Sequence, residues 1–261
     1  MLQEQRQQRI MDELRDKQSV RIAPLCEKLG VTRETIRRDL HELEKKGLLK
    51  KVHGGAILKK TNVEPPYAHR SESNNEEKHA IAKRAAAYVD NGDAIYIDIG
   101  TSTLYMTEYL GDKQNLTVVT NALMVAYELS KYPQIKVILS GGELRSGELS
   151  LSGAIARKSF EDLYIDKAFI GVGGLSLETG ITDYHVGESE IRKMMLNKAM
   201  ETYALADYSK FDVTAFTKAC EVQEIDRIIT DTKAPSSMVK ALQEQGITVD
   251  CVEVDAADEA Q

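Results

Sequence analysis

The chain has 261 residues, 42% of them hydrophobic and 29% charged, a balance typical of a globular protein with one large domain or one large and one small domain. The sequence contains no run of about 18 apolar residues, which argues against a membrane span. The start of the chain, "MLQEQRQQRIMDELR", lacks the apolar core of a signal peptide. Cys26, Cys220 and Cys251 form no CxxC pair. We therefore expect no disulfides, no zinc site and no other metal site. We expect a cytoplasmic location.

Charge is distributed unevenly along the chain. Residues 1–60 hold 15 Lys and Arg against 9 Asp and Glu, whereas the remaining residues hold 19 against 32, and the formal net charge is −7. A basic segment on an acidic body indicates that the basic segment alone meets a polyanion. The negative body would weaken indiscriminate adhesion to nucleic acid.

The first part of the chain predicts three helices followed by a hairpin. Apolar residues in "RIMDEL" recur at helical spacing and indicate the first helix. The second helix is expected to begin near Pro24, which suits a first turn, and to end at Gly30. Thr32 is a good N-cap for the third helix, which is expected to end at Gly47. A short apolar piece, "SVRI", separates the first two helices.

The third helix has the pattern of a recognition helix. Ile36, Leu40 and Leu43 form one narrow apolar stripe. The rest of its surface carries side chains that can contact bases or phosphates, namely Arg33, Glu34, Thr35, Arg37, Arg38 and His41. A short helix, a turn with glycine and a second helix with polar N-terminal residues are typical of major-groove recognition, in which arginines contact guanine. A solvated amphipathic helix is the alternative for this helix taken alone.

A basic hairpin follows the third helix. The segments "LLKKV" and "AILKK" flank "HGG", so two short strands are expected to reverse at the glycines. The basic residues of this hairpin could follow a phosphate backbone, and they are Lys50, Lys51, Lys59 and Lys60. A helix-turn-helix with a basic wing is a winged helix, and the combination favours DNA binding.

The segment "RIMDEL…VRIAPLCEKLGVTRETIRRDLHELEKKGLLKKVHGGA" closely resembles the winged-helix domain of the DeoR family of bacterial transcription regulators. The resemblance covers residues 3–58, and "T-x-x-T-I-R-R-D-L" and "HGGA" are its most distinctive pieces. The resemblance implies that residues 20–39 form the helix-turn-helix and that Asp39 holds a neighbouring arginine or a helix terminus. It implies operator binding through Thr32, Arg33, Thr35, Arg37, Arg38, Lys51 and His53.

Residues 59–75 are predicted to be a linker. They contain Pro65 and Pro66 and no periodic apolar pattern, so an extended conformation is expected around the prolines. Asn74 or Asn75 can cap the next helix, "EEKHAIAKRAAAYV". That helix could connect the domains, form a subunit contact or pack against its own domain.

Residues 76–253 are predicted to form a Rossmann-like α/β domain, with an acidic tail at residues 254–261. Apolar runs such as "AIYID", "LTVVT" and "KAFIGVG" alternate with helical stretches such as "NALMVAYELS". Continuous Val and Ile runs between amphipathic helices indicate a parallel sheet covered on both faces. In such sheets ligands bind at the carboxyl ends of the strands.

Several strand ends carry glycine or hydroxyl residues. "DIGTSTL" follows the first strand, and its glycine, three hydroxyls and free helical N–H groups suit a phosphate or carboxylate. An ordinary Thr/Ser-capped helix is an equal alternative, and the absence of GK[ST] excludes a P-loop. Asn121 follows "VVT", Gly141 and Gly142 follow "VILS", "GVGG" follows "AFI", and Lys210 lies in "DYSKF".

The pieces "IYIDIGTST", "VVTN", "ILSGGELR", "FIGVGGLS" and "LADYSKF" resemble the effector-sensing domain of DeoR regulators. The resemblance implies a fold related to ribose-5-phosphate isomerase and an effector that is a phosphorylated sugar or a related metabolite. The residues that it implies for the pocket are Asp98, Gly100, Thr101, Ser102, Thr103, Asn121, Gly141, Gly142 and Lys210. Weaker candidates, for sugar hydroxyls, are Glu143, Asp183, His185 and Glu188.

The expected function is that of a DNA-binding transcriptional regulator, a repressor of a carbohydrate-utilisation operon that a sugar phosphate releases from its operator. A homodimer or homotetramer and no cofactor besides the effector are expected. An active isomerase is one alternative, but isomerases carry a "DGADE"-like element where this chain reads "GVGGL", so catalysis is not expected. The other alternative is an architectural DNA binder, in which the large domain only oligomerises. The sequence leaves the effector, operator and subunit number open.

Overall fold

The computed structural model describes residues 2–17, 19–45, 48–52, 54–58 and 64–254. Two compact units make up the chain, Met1–Val63 and Glu64–Gln261. The division lies inside the stretch of residues 59–75 that the sequence predicts as a linker. Within the described ranges, no helix has the length and apolar character that crossing a membrane requires.

The first unit is a winged helix. Its helices are α1 (Gln3–Lys17), α2 (Ile22–Leu29) and α3 (Arg33–Lys45). Its strands are β1 (Ser19–Arg21), β2 (Leu49–Val52) and β3 (Gly55–Leu58), which form an antiparallel sheet in the order β1-β3-β2. The three helices bury a shared apolar core, in which Ile10, Leu14, Ile36 and Leu40 are at most 1% exposed. This is the predicted three-helix and hairpin arrangement.

The ends of the helices in this unit follow the local sequence closely. Gly30 has φ 65° and ends α2, a conformation that glycine adopts without a steric penalty. The Thr35 N–H donates to Thr32 Oγ1 at 3.2 Å, so Thr32 is the N-cap of α3. α2 begins at Ile22, two residues before Pro24, which keeps this proline in the first turn. Gly47, the predicted end of α3, lies outside the described residues.

The described part of the predicted linker differs from an extended chain. Pro66 precedes a short helix, α4 (Tyr67–Glu72), which belongs to the second unit. Lys78 Nζ donates to the carbonyl oxygen of Ser73 at 2.6 Å and to that of Arg70, which fastens the end of α4. A helix of six residues is too short to show a hydrophobic period, so the sequence pattern misses it. Residues 59–63 lie outside the described residues.

The helix after α4 is α5 (Asn75–Ala86), and Asn74 is in its N-cap position. Asn74 makes no side-chain cap and has φ 52°. Its Nδ2 donates to Asp207 Oδ1 at 2.9 Å, and its Oδ1 accepts from the Tyr208 hydroxyl at 3.2 Å. Asn74 therefore joins the start of α5 to the segment that follows a central strand.

The second unit is an α/β domain with short additional strands. Its strands are β4 (Ala94–Ile97), β5 (Thr117–Thr120), β6 (Lys136–Leu139), β7 (Glu143–Arg145), β8 (Ser150–Ser152), β9 (Ile165–Gly171), β10 (Gly174–Ser176), β11 (Gly180–Asp183), β12 (Ala199–Leu205), β13 (Thr217–Cys220), β14 (Arg227–Asp231) and β15 (Thr248–Val252). Its remaining helices are α6 (Thr101–Tyr105), α7 (Leu123–Leu129), α8 (Gly153–Phe160), α9 (Val186–Leu196) and α10 (Ser236–Glu244). Single 3₁₀ turns lie at Met106–Tyr109, Tyr208–Lys210 and Val222–Glu224.

Seven strands form one parallel sheet in the order β15-β14-β12-β9-β4-β5-β6, as predicted. Two small antiparallel arrangements flank it, the sheet β10-β11-β13 and the hairpin β7-β8. Neither was predicted from the sequence. Successive side chains of a strand face opposite sides of a sheet, so Ile95 and Ile97 pack in one core and Tyr96 packs in the other, against Phe160.

The strand order reverses between β4 and β9, which are neighbours in the sheet. The chain runs from β4 outward through β5 and β6, and then returns to β9 on the other side of β4. Ligands of open α/β sheets bind outside the carboxyl ends at such a reversal. Here Gly171 packs closely against the end of β4, because a Cβ atom on it would lie 2.8 Å from the carbonyl oxygen of Ile99.

Candidate functional site

The exposed face of α3 presents the predicted base-contacting arginines. Arg33, Arg37 and Arg38 are exposed, and Thr35 is half-buried. The Arg37 side chain is 64% exposed and approaches Glu34 only to 3.8 Å, a surface pair of little energetic weight. The Thr32 hydroxyl lies 2.9 Å from that of Thr35, so capping already engages both. The arginines are therefore available to an external polyanion.

The predicted wing is described in part. Lys51 is exposed, its backbone N–H donates to Glu44 Oε1 at 2.7 Å, and its Nζ lies 3.7 Å from Glu44. This contact joins β2 to the last turns of α3. His53, Lys59 and Lys60 lie outside the described residues, so their predicted contacts with DNA stay predictions.

Asp39 has the structural role that the sequence indicates. It is 1% exposed and accepts hydrogen bonds from Arg6, one of them from Nη2 at 3.0 Å. The hydrogen bond to Asp39 raises the pKa of Arg6, although partial burial opposes this. The pair ties α3 to α1 and thereby holds the recognition helix in place.

In the second unit, a cleft opens at the carboxyl ends of β4, β9 and β12. It lies at the reversal of strand order. The lining residues include three cations and three carboxylates, and they are Glu64, Arg70, Ile99, Gly100, Thr101, Ser102, Gly171, Val172, Gly173, Asp183, Glu188, Arg192, Leu205 and Lys210.

Four of the predicted pocket residues line this cleft. Gly100, Thr101 and Ser102 form the turn between β4 and α6, and Lys210 ends the 3₁₀ turn after β12. Thr101 and Ser102 are each 8% exposed. Among the described residues, the Lys210 ammonium has neither an ion pair nor a hydrogen-bond partner. This end of the cleft therefore combines hydroxyls, backbone N–H groups and a cation without a partner.

Two further predicted residues lie beneath the cleft. Asp98 and Thr103 are both fully buried. Thr103 Oγ1 donates to the carbonyl oxygen of Asp98 at 2.8 Å, which shapes the turn. Asp98 accepts from the Tyr96 hydroxyl at 2.9 Å and from Arg192 Nε at 2.5 Å. Burial raises the pKa of Asp98 even though Arg192 opposes this. These residues support the cleft wall.

The remaining three predicted pocket residues do not line the cleft. Asn121 is fully buried, accepts from the Tyr96 hydroxyl at 2.8 Å and donates to the carbonyl oxygen of Leu151 at 3.2 Å. A Cβ atom on Gly142 would lie 2.4 Å from the carbonyl oxygen of Ser152, so close packing accounts for this glycine. Gly141 is exposed at the end of β6.

The four weaker candidates divide equally. Asp183 and Glu188 line the cleft, whereas Glu143 and His185 do not. Glu143 is exposed beside Gly153. His185 is the N-cap residue of α9, and its Nδ1 is buried without a hydrogen-bond partner in the described part of the chain.

Arg192, which the sequence reading misses, is the central cation of the cleft. It is 2% exposed, and its guanidinium binds Asp98 and Asp183. Burial lowers the pKa of Arg192, but the two carboxylates raise it well above the ordinary arginine value. The same contacts lower the pKa of Asp183 against the effect of burial. One sequence signal could have indicated Arg192. It lies four residues after Glu188, on a helix whose Ile191 is buried.

A second group missed by the sequence reading is a chain of ion pairs over the cleft, here called the clasp: Glu64, Arg70, Arg145, Glu148 and Glu188. Arg145 Nη2 lies 2.7 Å from Glu64 and its Nη1 lies 2.9 Å from Glu188. Arg70 binds Glu64 through Nη1 and Glu148 through Nη2. The five side chains are at most 24% exposed. They come from segments up to about 120 residues apart, so no local spacing indicates them.

Comparison with known proteins places both units in one family. The family model described as "DeoR C terminal sensor domain" matches residues 73–232, and the one described as "DeoR-like helix-turn-helix domain" matches residues 6–62. The chain belongs to the DeoR family. It is therefore a DNA-binding transcriptional regulator with a C-terminal sensor domain for a small molecule.

Curated relatives of the DeoR family align over almost their whole length. The uncharacterized HTH-type transcriptional regulator YulB of Bacillus subtilis is 36% identical over 97% of this chain and 98% of its own length. The glycerol-3-phosphate regulon repressor of Escherichia coli is 30% identical over 96% of this chain and 99% of its own. A ribose 5-phosphate isomerase of Methanocaldococcus jannaschii aligns with a TM-score of 0.41, at 19% identity over 53% of this chain and 55% of that one.

Proposed function

We propose that this DeoR-family chain represses a carbohydrate-utilisation operon and that a phosphorylated sugar or a related metabolite, bound in the cleft, releases it from the operator. The observation that carries the proposal is that the turn of Gly100, Thr101 and Ser102 lines the same cleft as Lys210, at the reversal of strand order. The Escherichia coli relative, which is named for the glycerol-3-phosphate regulon, supports the choice of a phosphorylated ligand.

The Lys210 end of the cleft suits a phosphoryl group. The first N–H groups of a helix lack partners within the helix, so those at the start of α6 are available to an anion. Hydroxyls of Thr101 and Ser102 can donate further hydrogen bonds, and charge-assisted contacts from an ammonium such as that of Lys210 are stronger than neutral ones. Together these donors can surround the terminal oxygens of a phosphate monoester.

The remainder of the cleft suits a polyol. Asp183 and Glu188 line it, and carboxylate oxygens accept hydrogen bonds from sugar hydroxyls. A single sugar phosphate would therefore place its phosphoryl group at Lys210 and its hydroxyls toward these carboxylates.

The proposed operator contacts use α3 and the wing of more than one subunit. Arg33, Arg37 and Arg38 face outward on α3, and Lys51 faces outward on β2. One winged helix covers a small stretch of DNA, so a homodimer or homotetramer is part of the proposal, with subunits on repeated half-sites. Such a regulator acts where the chromosome is, which in a bacterium is the cytoplasm.

We propose binding without turnover, and without any cofactor besides the effector. Aldose–ketose isomerisation needs a carboxylate free to carry a proton between adjacent carbons. In the cleft, Asp183 already binds Arg192, and Glu188 binds Arg145 and Ser150. The segment Gly171–Gly174 contributes no carboxylate. These carboxylates therefore fit a binding role.

The test is a thermal-shift and operator-binding assay with ribose 5-phosphate, glucose 6-phosphate, fructose 1-phosphate and glycerol 3-phosphate. At least one is expected to raise the melting temperature and to lower affinity for a duplex selected from random-sequence DNA. Lys210→Ala and Thr101→Ala are expected to abolish both effects. Lys240→Ala, which removes an exposed lysine of α10, is the matched control and should retain them.

Two outcomes would contradict the proposal. Aldose–ketose interconversion of any of the three sugar phosphates would show that the chain is an isomerase. An operator affinity that none of them changes would favour the alternative of an architectural DNA binder whose second unit only oligomerises.

A further inference from the structure

We propose that Arg70 is an exchangeable effector-binding residue, whose guanidinium moves from the clasp carboxylate Glu148 to the effector anion. The inference rests on the proposed function, because it concerns the same cleft. It adds one binding residue that the sequence does not indicate.

Arg70 is held in a state from which it can exchange. It lines the cleft, and its side chain is 16% exposed. Its two Nη atoms bind two different carboxylates, Glu64 and Glu148. Its Nε is buried and has no hydrogen-bond partner within the described residues. A guanidinium prefers to bind a phosphate or carboxylate as a fork through two N–H groups. The unused Nε, together with Nη2, offers such a fork to an incoming anion.

The charges that line the cleft favour replacement of a carboxylate by the effector anion on Arg70. The lining cations Arg70 and Arg192 already bind carboxylates, and Lys210 is the one lining cation that has no partner in the described part of the chain. A phosphoryl dianion would enter beside three lining carboxylates and add to their negative charge. Glu148 does not line the cleft, so its displacement from Arg70 frees a cation for the ligand while leaving the cleft wall intact.

The C-terminal end of α4 is fastened independently of the clasp. Lys78 Nζ donates to the carbonyl oxygens of Arg70 and Ser73, and the Tyr105 hydroxyl donates to that of Ser71 at 3.0 Å. The backbone of Arg70 can therefore stay in place while its side chain turns from one partner to another.

The rest of the clasp stays in place during this exchange. Arg70 Nη1 keeps its contact with Glu64, because the fork offered to the ligand uses Nε and Nη2. Arg145 holds Glu64 and Glu188. Glu148 is therefore the clasp carboxylate that the ligand replaces.

Competition for one guanidinium has a reciprocal consequence. If a ligand weakens the clasp, then weakening the clasp must strengthen ligand binding by the same factor. Removing the charge of Glu148 should favour ligand binding, and removing Arg70 should impair it. A residue with a merely structural role would not increase ligand affinity when its partner is neutralised.

The experiment titrates inorganic phosphate into the full chain at constant ionic strength and measures its dissociation constant by calorimetry. Glu148→Gln is expected to bind phosphate about fivefold or more tightly than the wild type. Arg70→Met is expected to bind it about fivefold or more weakly, with Arg70→Lys between them. Glu190→Gln is the matched control, because Glu190 lies on α9 in an exposed pair with Arg157 outside the clasp. Melting curves verify that each variant is folded.

The outcomes separate the two proposals. Phosphate binding that is equal in wild type, Arg70→Met and Glu148→Gln overturns the role of Arg70 and leaves the proposed function standing. If neither phosphate nor any sugar phosphate binds the wild type, both the proposed function and this inference fail.

Discussion

The exposed cationic face of α3 and the charged cleft of the sensor domain use arginine in opposite ways. The Arg37 side chain is 64% exposed, and its nearest carboxylate is 3.8 Å away. The Arg192 side chain is 3% exposed and binds two carboxylates directly. The first arrangement leaves cations ready for a polyanion. The second satisfies each arginine internally, so a small anion can use one only by replacing a carboxylate.

The two arrangements also differ in what they contribute to folding. Exposed ion pairs stabilise a fold little, because water and salt screen them. Breaking a buried pair leaves an uncompensated charge in a medium of low polarity, which costs several kcal/mol. Substitutions on α3 should therefore change DNA binding and leave stability unchanged, whereas substitutions in the buried network should change stability first.

The largest effect is expected for Arg192→Met. This variant leaves Asp98 and Asp183 buried without a cation, and we expect it to lower the free energy of unfolding of the sensor domain by about 3–5 kcal/mol. Urea denaturation monitored by circular dichroism measures the change. Combining it with Asp98→Asn and Asp183→Asn should restore most of the loss, because the buried charges then disappear together. A loss below about 1 kcal/mol in the single variant would contradict the assigned network.

The next largest effect is expected for operator binding by the exposed arginines of α3. Arg37→Ala and Arg38→Ala are each expected to weaken operator binding by about 1–3 kcal/mol if the side chain contacts a base. A side chain that contacts phosphate should instead reduce the slope of log affinity against log salt by about one. Fluorescence anisotropy at several salt concentrations distinguishes the two cases. Arg157→Ala, an exposed arginine of α8, is the control, and an equal loss in it would mean that the effect is non-specific.

Elements with a clear apolar pattern were predictable. The strands β4, β5 and β9 read as continuous apolar runs because both faces of the sheet are covered, and the apolar stripe of Ile36, Leu40 and Leu43 identifies the one buried face of α3. Gly30 and Thr32 gave the end of one helix and the start of the next, because their backbone and hydroxyl chemistry acts locally. Short elements such as α4 were missed because they contain less than two turns.

The sequence indicates only those parts of the cleft that come from one contiguous segment. The turn of Gly100, Thr101 and Ser102 is contiguous, so the sequence shows it. The ion pairs of the clasp join residues distant in sequence, and nothing near Glu64 or Arg145 indicates that they meet. Asn121 was predicted in the pocket because it follows a strand, yet it is buried against Tyr96 and Leu151 and does not line the cleft.

The pKa of Lys78 tests the effect of burial on a lysine whose ammonium donates to carbonyl oxygens. Burial lowers its pKa to about 8, and the nearby Lys210 and Arg70 act in the same direction while Asp207 opposes them. Between this value and its unfolded value of 10.5 the unfolded chain binds more protons, so stability should rise with pH. Relative to Lys78→Met, we expect the wild type to gain on the order of 2 kcal/mol between about pH 7 and about pH 10.

Urea denaturation of both proteins at the two pH values measures this gain. Lys240→Met, at an exposed position, should show no such dependence. A difference between wild type and Lys78→Met that does not change with pH would mean that Lys78 keeps an ordinary lysine pKa in the folded chain.

The smallest effect separates two roles of one residue. Thr32 caps α3 and is also predicted to contact DNA, so Thr32→Ala alone is ambiguous, with an expected loss of about 1 kcal/mol in stability of the winged helix. Thr32→Asp separates the roles, because aspartate is a strong N-cap but its charge repels phosphate. We expect Thr32→Asp to unfold at the wild-type urea concentration and to bind operator more weakly. Wild-type operator affinity in Thr32→Asp would mean that Thr32 faces away from the DNA and that its hydroxyl only caps the recognition helix.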